Sequence, residues 1–271
     1  MIRIGRVTGL ATVQDLGRPG FMHAGVPAGG AMSRELLTRA NAAARNAAGA
    51  AAIEAFGDVE VFAEETTESL ATSAGETRML AAGESVVFRR PSSQRVHYVA
   101  VRGGLDVPLV LGGRGTLLVA NLGGHEGRAL RRGDALPVGA APLTPDAPAH
   151  DDTRREEPRV RIRVSLGPDL DAFPRETLDV LTAGLFTISP ASDRTGTRLL
   201  GPPLLARPGP TRPSAPMVPG AIEITPDGGA IVLGPDHPTT GGYPVLACVR
   251  ARDLGKLMAL PLGAELRFDC A

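Results

Sequence analysis

Glycine and proline punctuate this sequence so often, 34 and 24 times in 271 residues, that long uninterrupted helices have little room. Glycine is costly in a helix interior, and proline removes a backbone donor and clashes with the preceding turn. Hydrophobic residues still make up 43% of the chain, enough for a buried core. The punctuation therefore points to many turns and short strands rather than to disorder. We expect a mainly β protein with a few short helices. The length allows one large domain or two of ordinary size.

Short apolar or alternating runs fit this expectation. In the first half they fall at residues 2–7, 10–13, 53–56, 59–62, 86–88 and 96–101. In the second half they fall at 159–166, 230–233, 245–249 and 265–268. Ser33 is a plausible N-cap for a helix that lays Leu36, Leu37, Ala40, Ala43 and Ala44 on one face and stops near Arg45 and Asn46. A second helix runs from about Pro174 to Gly184, and a third is capped by Asp253. Pro137, Pro142, Pro145, Pro148 and Pro158 surround a charged run at 151–157. This composition marks residues 140–158 as a linker between halves at 1–139 and 159–271. Glu54 stands among apolar neighbours; alternation favours a solvent-facing acid, and the other possibility is a buried group with a perturbed pKa.

Charge excludes several classes of partner. Lys plus Arg equals Asp plus Glu at 29 each, which favours neither nucleic acid nor an anionic membrane surface. The first residues lack the apolar stretch of a secretory signal, and no run approaches the roughly 20 apolar residues that span a bilayer. A cytoplasmic protein is expected. Cys248 and Cys270 are read as buried free thiols, and no metal site is assigned. The sequence has no G-x-x-x-x-G-K-[ST], H-E-x-x-H or G-x-S-x-G motif. Its single lysine, Lys256, lacks the flanking methionines of a biotin-bearing lysine. No cofactor is therefore assigned to this chain: any P-loop-type ATP site or tethered biotin belongs to other chains.

Polar loops hold the residue types that chemistry needs. Residues 234–244 join two apolar runs and contain Asp236, Thr239, Thr240, Gly241, Gly242 and Tyr243. The glycine pair allows backbone N–H groups to approach an anionic group without an intervening side chain. The alternative is a hairpin loop punctuated by glycine and proline. Residues 14–20 and 189–199 each set a carboxylate close to a guanidinium, Asp15 with Arg18 and Asp193 with Arg194. Residues 112–128 intersperse Arg114 and Arg128 with glycines, a pattern suited either to carboxylate or phosphate binding or to a solvated surface.

The ordered motifs Thr12-Val13-Gln14-Asp15-Leu16-Gly17-Arg18-Pro19-Gly20, Gly123-Gly124-His125-Glu126-Gly127-Arg128, Ser192-Asp193-Arg194-Thr195-Gly196 and Thr239-Thr240-Gly241-Gly242-Tyr243-Pro244 span nearly the whole chain. They resemble the family of carboxyltransferase subdomains A and B, which includes allophanate-hydrolase subunit 2-like proteins and the C subunit of ATP-dependent 5-oxoprolinase. The resemblance implies two cyclophilin-like β-barrel subdomains. It also implies a partner, a homologue of subunit 1 or of the B subunit, that carries subdomains C and D, and it allows a lactam-utilisation A subunit. The implied reaction is the ATP-driven opening of 5-oxo-L-proline to L-glutamate. An alternative is carboxyl transfer from carboxybiotin to urea or a related amide, and another is a non-catalytic partner of a Kip-type inhibitor. This chain departs from the pattern at Pro238, where relatives usually carry glutamine, and in a shorter segment at 70–88.

Lactam opening and carboxyl transfer both place charge on a carbonyl oxygen, so each needs fixed donors and a group that moves or positions a proton. Asp15, Asp193 and Asp236 are the candidate catalytic carboxylates. Arg18 and Arg194 are candidate clamps for a substrate carboxylate, and Thr239, Thr240, Gly241 and Gly242 are candidate oxyanion donors. Gln14 and Tyr243 complete the candidate binding set. For each aspartate the other reading is a loop-bracing residue that accepts nearby backbone N–H groups.

Overall fold

A computed structural model of the chain describes residues 1–64, 68–141, 160–209 and 213–270. The fold comprises two compact units, one formed by Met1–Gly20 with Ala28–Thr153 and the other by Phe21–Pro27 with Arg154–Ala271. Most of the proposed linker, residues 142–158, lies outside the described residues.

The first unit contains β1 (Ile2–Val7), β2 (Ala11–Gln14), α1 (Arg34–Ala43), β3 (Ala52–Ala55), β4 (Val59–Ala63), β5 (Glu68–Thr72), β6 (Thr77–Leu80), β7 (Ser85–Phe88), β8 (His97–Val101) and β9 (Ala135–Leu136). These strands form two antiparallel sheets, ordered β7-β4-β1-β9 and β2-β3-β8-β5-β6. Side chains from both sheets, among them Ile2, Val61, Phe88, Val13, Ile53 and Val99, share one buried apolar cluster. β1, β2, β3, β4, β7 and β8 form where alternation and short apolar runs predict them, with ends shifted by a residue or so, whereas β5, β6 and β9 carry no such expectation.

Helix α1 begins as its sequence suggests: the Ser33 hydroxyl accepts the Leu36 amide at 3.4 Å, and Leu36, Leu37 and Ala40 are buried. The helix packs on β8, β5 and β3. This covering explains a correction at Glu54, which is fully buried rather than solvent-facing. All four residues of β3 are buried because α1 covers one face of its sheet while Ile53 and Ala55 enter the apolar cluster on the other, so alternation carries no in-out information there. The Glu54 carboxylate accepts the Tyr98 hydroxyl at 2.5 Å and the Met32 amide at 2.8 Å, while the Tyr98 oxygen accepts the Ser33 amide at 3.0 Å. The chain entering α1 is thereby fixed to the sheet.

The second unit contains β10 (Val160–Leu166), α2 (Arg175–Ala183), β11 (Phe186–Ile188), β12 (Gly196–Leu200), β13 (Ala215–Pro216), β14 (Ala221–Ile224), β15 (Ala230–Leu233), β16 (Thr240–Gly241), β17 (Val245–Val249), α3 (Ala251–Ala259) and β18 (Glu265–Cys270). Seven strands close into a barrel in the order β10-β17-β14-β15-β12-β11-β18, with β10 and β18 parallel at the seam. Closure removes the sheet edges. Phe186 and Phe268 pack with ring centroids 5.5 Å apart. Strands β13 and β16 pair in a separate two-stranded ribbon.

Two further expectations are corrected in this unit. Asp253 does not cap α3: the N-cap is Arg250, without a side-chain cap, and the buried Asp253 carboxylate turns to Arg163 on β10. It accepts the Arg163 amide and both arms of its guanidinium, each at 2.8 Å. A charged fork outcompetes a helix amide for a carboxylate. Cys248 and Cys270 are free, but Cys248 is half-buried and Cys270 is exposed where β18 ends. Among the described residues no helix is long and apolar enough to cross a membrane.

The Arg163 hydrogen bonds hold the Asp253 carboxyl below its ordinary value of 3.8. Its stabilisation is present above that value and lost as pH falls through the lower folded value. Asp253→Asn is therefore expected to lower Tm by about 2–4 °C at pH 7. Thermal melts of both proteins should converge as the pH drops below 3.8.

Candidate functional site

In the first unit, β2 delivers Gln14, Asp15 and Arg18 into a buried knot of glycine-rich loops. Asp15 accepts the Gly17, Arg114 and Gly115 amides at 2.8, 2.6 and 3.1 Å. Arg18 is fully buried and donates to the Val110 and Gly115 carbonyls. Gln14 donates its amide to the Thr12 hydroxyl at 3.1 Å and the Thr116 carbonyl at 2.9 Å, and its Oε1 has no hydrogen-bond partner among the described residues. A Cβ at Gly115 would lie 2.7 Å from that oxygen and 3.0 Å from the Asp15 carboxylate, so glycine is required for close packing. The loop-bracing reading holds for Asp15. Arg18, expected to clamp a substrate carboxylate, instead holds loop carbonyls out of contact with solvent.

The arginines among glycines further along are also held internally. Arg114 pairs with Asp106 at 2.8 Å. Arg128 forks onto Asp134 at 2.7 and 2.9 Å. Burial works to raise the Asp134 carboxyl, but hydrogen bonds from Arg128 and the Arg131 amide outweigh it and hold the group below its ordinary value.

In the second unit, Arg194 and Asp236 form a buried ion pair, with guanidinium–carboxylate distances of 2.7 and 2.9 Å. The Asp236 amide donates to the Arg194 carbonyl at 3.1 Å, and the Gly234 amide donates to the Thr195 carbonyl at 2.8 Å. These contacts lace residues 189–195 to the start of the 234–244 loop. Arg194, a candidate substrate clamp, is engaged here by the protein's own carboxylate. Asp193 is exposed and accepts the Thr195 and Gly196 amides at 2.8 and 3.0 Å, which is the bracing role.

The 234–244 loop is not a hairpin. Its flanking strands β15 and β17 are separated in the barrel by β14, so the loop crosses over a strand. Thr240, Gly242 and Tyr243 are exposed, and Thr239 and Gly241 are half-buried. The Thr239 carbonyl accepts the Met217 amide at 3.0 Å, and Gly241 lies opposite Ala215 in the ribbon. Pro238 is exposed, and its carbonyl lies 2.7 Å from Nδ1 of the fully buried His237. A carbonyl can only accept, so Nδ1 carries the proton and Nε2 presents a lone pair. Nε2 has no partner among the described residues, and burial keeps the His237 pKa below its ordinary value.

One carboxylate in this region escaped sequence reasoning. Glu223, in the β14 run Ala221-Ile222-Glu223-Ile224, is buried, and burial pushes its carboxyl above the ordinary value of 4.5. A Cβ at Gly241 would lie 2.6 Å from Glu223 Oε1 and 3.0 Å from the Met217 methyl. Gly241 has no left-handed φ, so its lack of a side chain serves space rather than backbone shape. The room expected for an approaching anion is filled from within by Glu223. The available signal was an acid inside an apolar run, the same pattern that marks Glu54 in Ala52-Ile53-Glu54-Ala55.

Removing one member of the buried pair leaves the other uncompensated. Arg194→Ala is expected to cost about 3–5 kcal/mol, and Arg194→Met combined with Asp236→Leu to cost markedly less. Urea denaturation of the two single variants and the double variant measures the coupling. Glu223 acts with the opposite pH sign to Asp253. Its raised pKa means that its stabilisation is complete below 4.5 and is lost as pH rises through the higher folded value. Glu223→Gln should therefore match the wild type at low pH and be the more stable protein at pH 8, as read by denaturation at both.

The carboxyltransferase domain, subdomain A and B, is matched over residues 24–270. The chain is 34% identical to the 5-oxoprolinase C subunit of Escherichia coli, over 99% of this chain and 90% of that protein. Among solved structures, TTHA0988 superposes with a TM-score of 0.83 at 27% identity; the match covers 99% of this chain and 55% of that one, so this chain spans about half of it. The urea amidolyase of K. lactis superposes with a TM-score of 0.82 at 25% identity, over 98% of this chain and 18% of that one. A mainly β fold with a closed barrel, the ordered motifs and these matches agree: the chain belongs to the carboxyltransferase domain, subdomain A and B family.

Proposed function

We propose that this chain is the C component of a cytoplasmic, ATP-dependent 5-oxoprolinase-type complex that opens 5-oxo-L-proline to L-glutamate. The observation that carries this reading is the 34% identity to the E. coli 5-oxoprolinase C subunit across 99% of this chain and 90% of that protein. The chain contributes the wall of the site built on the 234–244 loop. Thr239, Thr240, Gly242 and Tyr243 meet substrate there, and the Arg194–Asp236 pair holds the loop in place. ATP is supplied through partner chains, a homologue of the B subunit with subdomains C and D and a lactam-utilisation A subunit, and the single chain is inactive.

The likeness to K. lactis urea amidolyase supports a second reading, carboxyl transfer from carboxybiotin to urea or a related amide. Both reactions act at an amide-type carbonyl, and they differ in what must be supplied. Co-expression with homologues of the B and A subunits, followed by size-exclusion chromatography and an ATP-coupled assay, separates them. Glutamate release from 5-oxoproline by the complex, with none from the single chain, is the expected result. Turnover only with urea, bicarbonate and a biotin carboxylase would replace the first reading with the second. Failure of the chain to associate with any homologue of the B subunit defeats both.

A further inference from the structure

We propose that the cleft between the end of β1 and the 131–134 turn is a binding site for a small polyanion of the di- or triphosphate class, held by Arg6, Arg131 and Arg132. The inference does not rest on the proposed function, and no step of that reaction is routed through the cleft.

The cavity measures about 510 Å³, and Val7, Leu130 and Glu60 line it together with the three arginines. That volume lies in the range of small-molecule sites. Arg6, Arg131 and Arg132 are exposed, so the cleft is open to a ligand from solvent. All of these residues belong to the first unit.

What distinguishes these arginines is the occupation of the nearby carboxylates by other groups. Glu60 Oε2 accepts the Arg6 backbone amide at 3.0 Å, and Oε1 accepts the Ser85 hydroxyl at 3.3 Å. A Cβ at Gly5 would lie 2.5 Å from Glu60 Oε2, so glycine is what lets this carboxylate fold onto β1. Pairing between β1 and β4 also shifts register between Ile4 and Val7, an irregularity of the kind that re-aims a side chain. Asp134 is engaged in the same way, by the Arg131 amide at 2.8 Å and by the Arg128 fork at 2.7 and 2.9 Å. Among the described residues none of the Arg6, Arg131 and Arg132 guanidiniums donates a hydrogen bond or joins an ion pair. Three guanidiniums against the one carboxylate of Glu60 leave the lining with an excess of two positive charges.

The backbone that carries these charges is fixed. The Ile4 amide donates to the Asp134 carbonyl and the Gly133 amide to the Ile4 carbonyl, each at 2.8 Å, so the turn is tied to β1. Guanidiniums pair bidentately with phosphate oxygens. A monocarboxylate satisfies one such fork, whereas a di- or triphosphate has oxygens and charge for all three. Val7 and Leu130 add an apolar wall for the group that carries the phosphates.

The test is isothermal titration calorimetry on the purified full chain in magnesium-free buffer, with sodium tripolyphosphate and ATP as separate probes. Both should bind saturably, and more weakly as salt is raised, because exposed charges are screened. Arg6→Ala, Arg131→Ala and Arg132→Ala should each weaken binding about 10-fold, and the Arg131→Ala, Arg132→Ala double variant about 100-fold. Thermal melts should be unchanged, since these exposed side chains hold nothing in place. Arg252→Ala removes the same charge from an exposed position outside the cleft and should leave the affinity as it was. Tripolyphosphate binding at least as tightly as ATP supports recognition of the phosphates alone; tighter binding of ATP supports a nucleoside seated on Val7 and Leu130. No saturable binding of either probe, equal weakening in Arg252→Ala, unchanged affinity in the cleft variants, or malonate binding as tightly as tripolyphosphate overturns the inference.

Discussion

The interaction on which this structure most depends is the hydrogen bond from a loop amide to a buried or half-buried carboxylate. A chain so rich in glycine and proline leaves many backbone N–H groups outside regular ladders, and buried amides need acceptors. Acidic side chains supply them. Asp15 gathers three amides from two loops, Glu54 takes the amide before α1, Asp169 takes the first amide of β17, and Asp253 takes one from β10. An ionised carboxylate is a stronger acceptor for an amide than a neutral oxygen.

This constraint governs how the site is read. Carboxylate beside guanidinium in a polar loop looks like catalytic equipment, yet the same chemistry serves to hold such loops. Arg194 and Asp236 show how completely the second use can displace the first: they lie 42 residues apart in sequence, bond bidentately and are nearly excluded from solvent. The pair fixes the 189–195 segment against the loop that crosses β14. Thr240, Gly242 and Tyr243 are exposed further along the same loop.

Glu223 differs: among the described residues no amide reaches the acid. Glycine at 241 usually suggests either a left-handed turn or close approach of a ligand to backbone. Here it makes room for a buried carboxyl, and Met217 shares the space. The two Ala-Ile-Glu strands therefore carry similar acids with different fates, one saturated by a tyrosine and an amide, the other left with apolar neighbours.

The sequence by itself determined the mainly β class, most strand positions, the Ser33 cap and the family, because periodicity, turn residues and ordered motifs are local signals. Tertiary structure alone decided the roles within the loops. The burial of Glu54 follows from β3 having covered neighbours on both sides of its sheet, and the turning of Asp253 to Arg163 follows from β10 passing the start of α3. That the 234–244 loop is a crossover depends on β14 inserting between β15 and β17. A residue type states which bonds a side chain can make; only the packed structure decides which partner reaches it first.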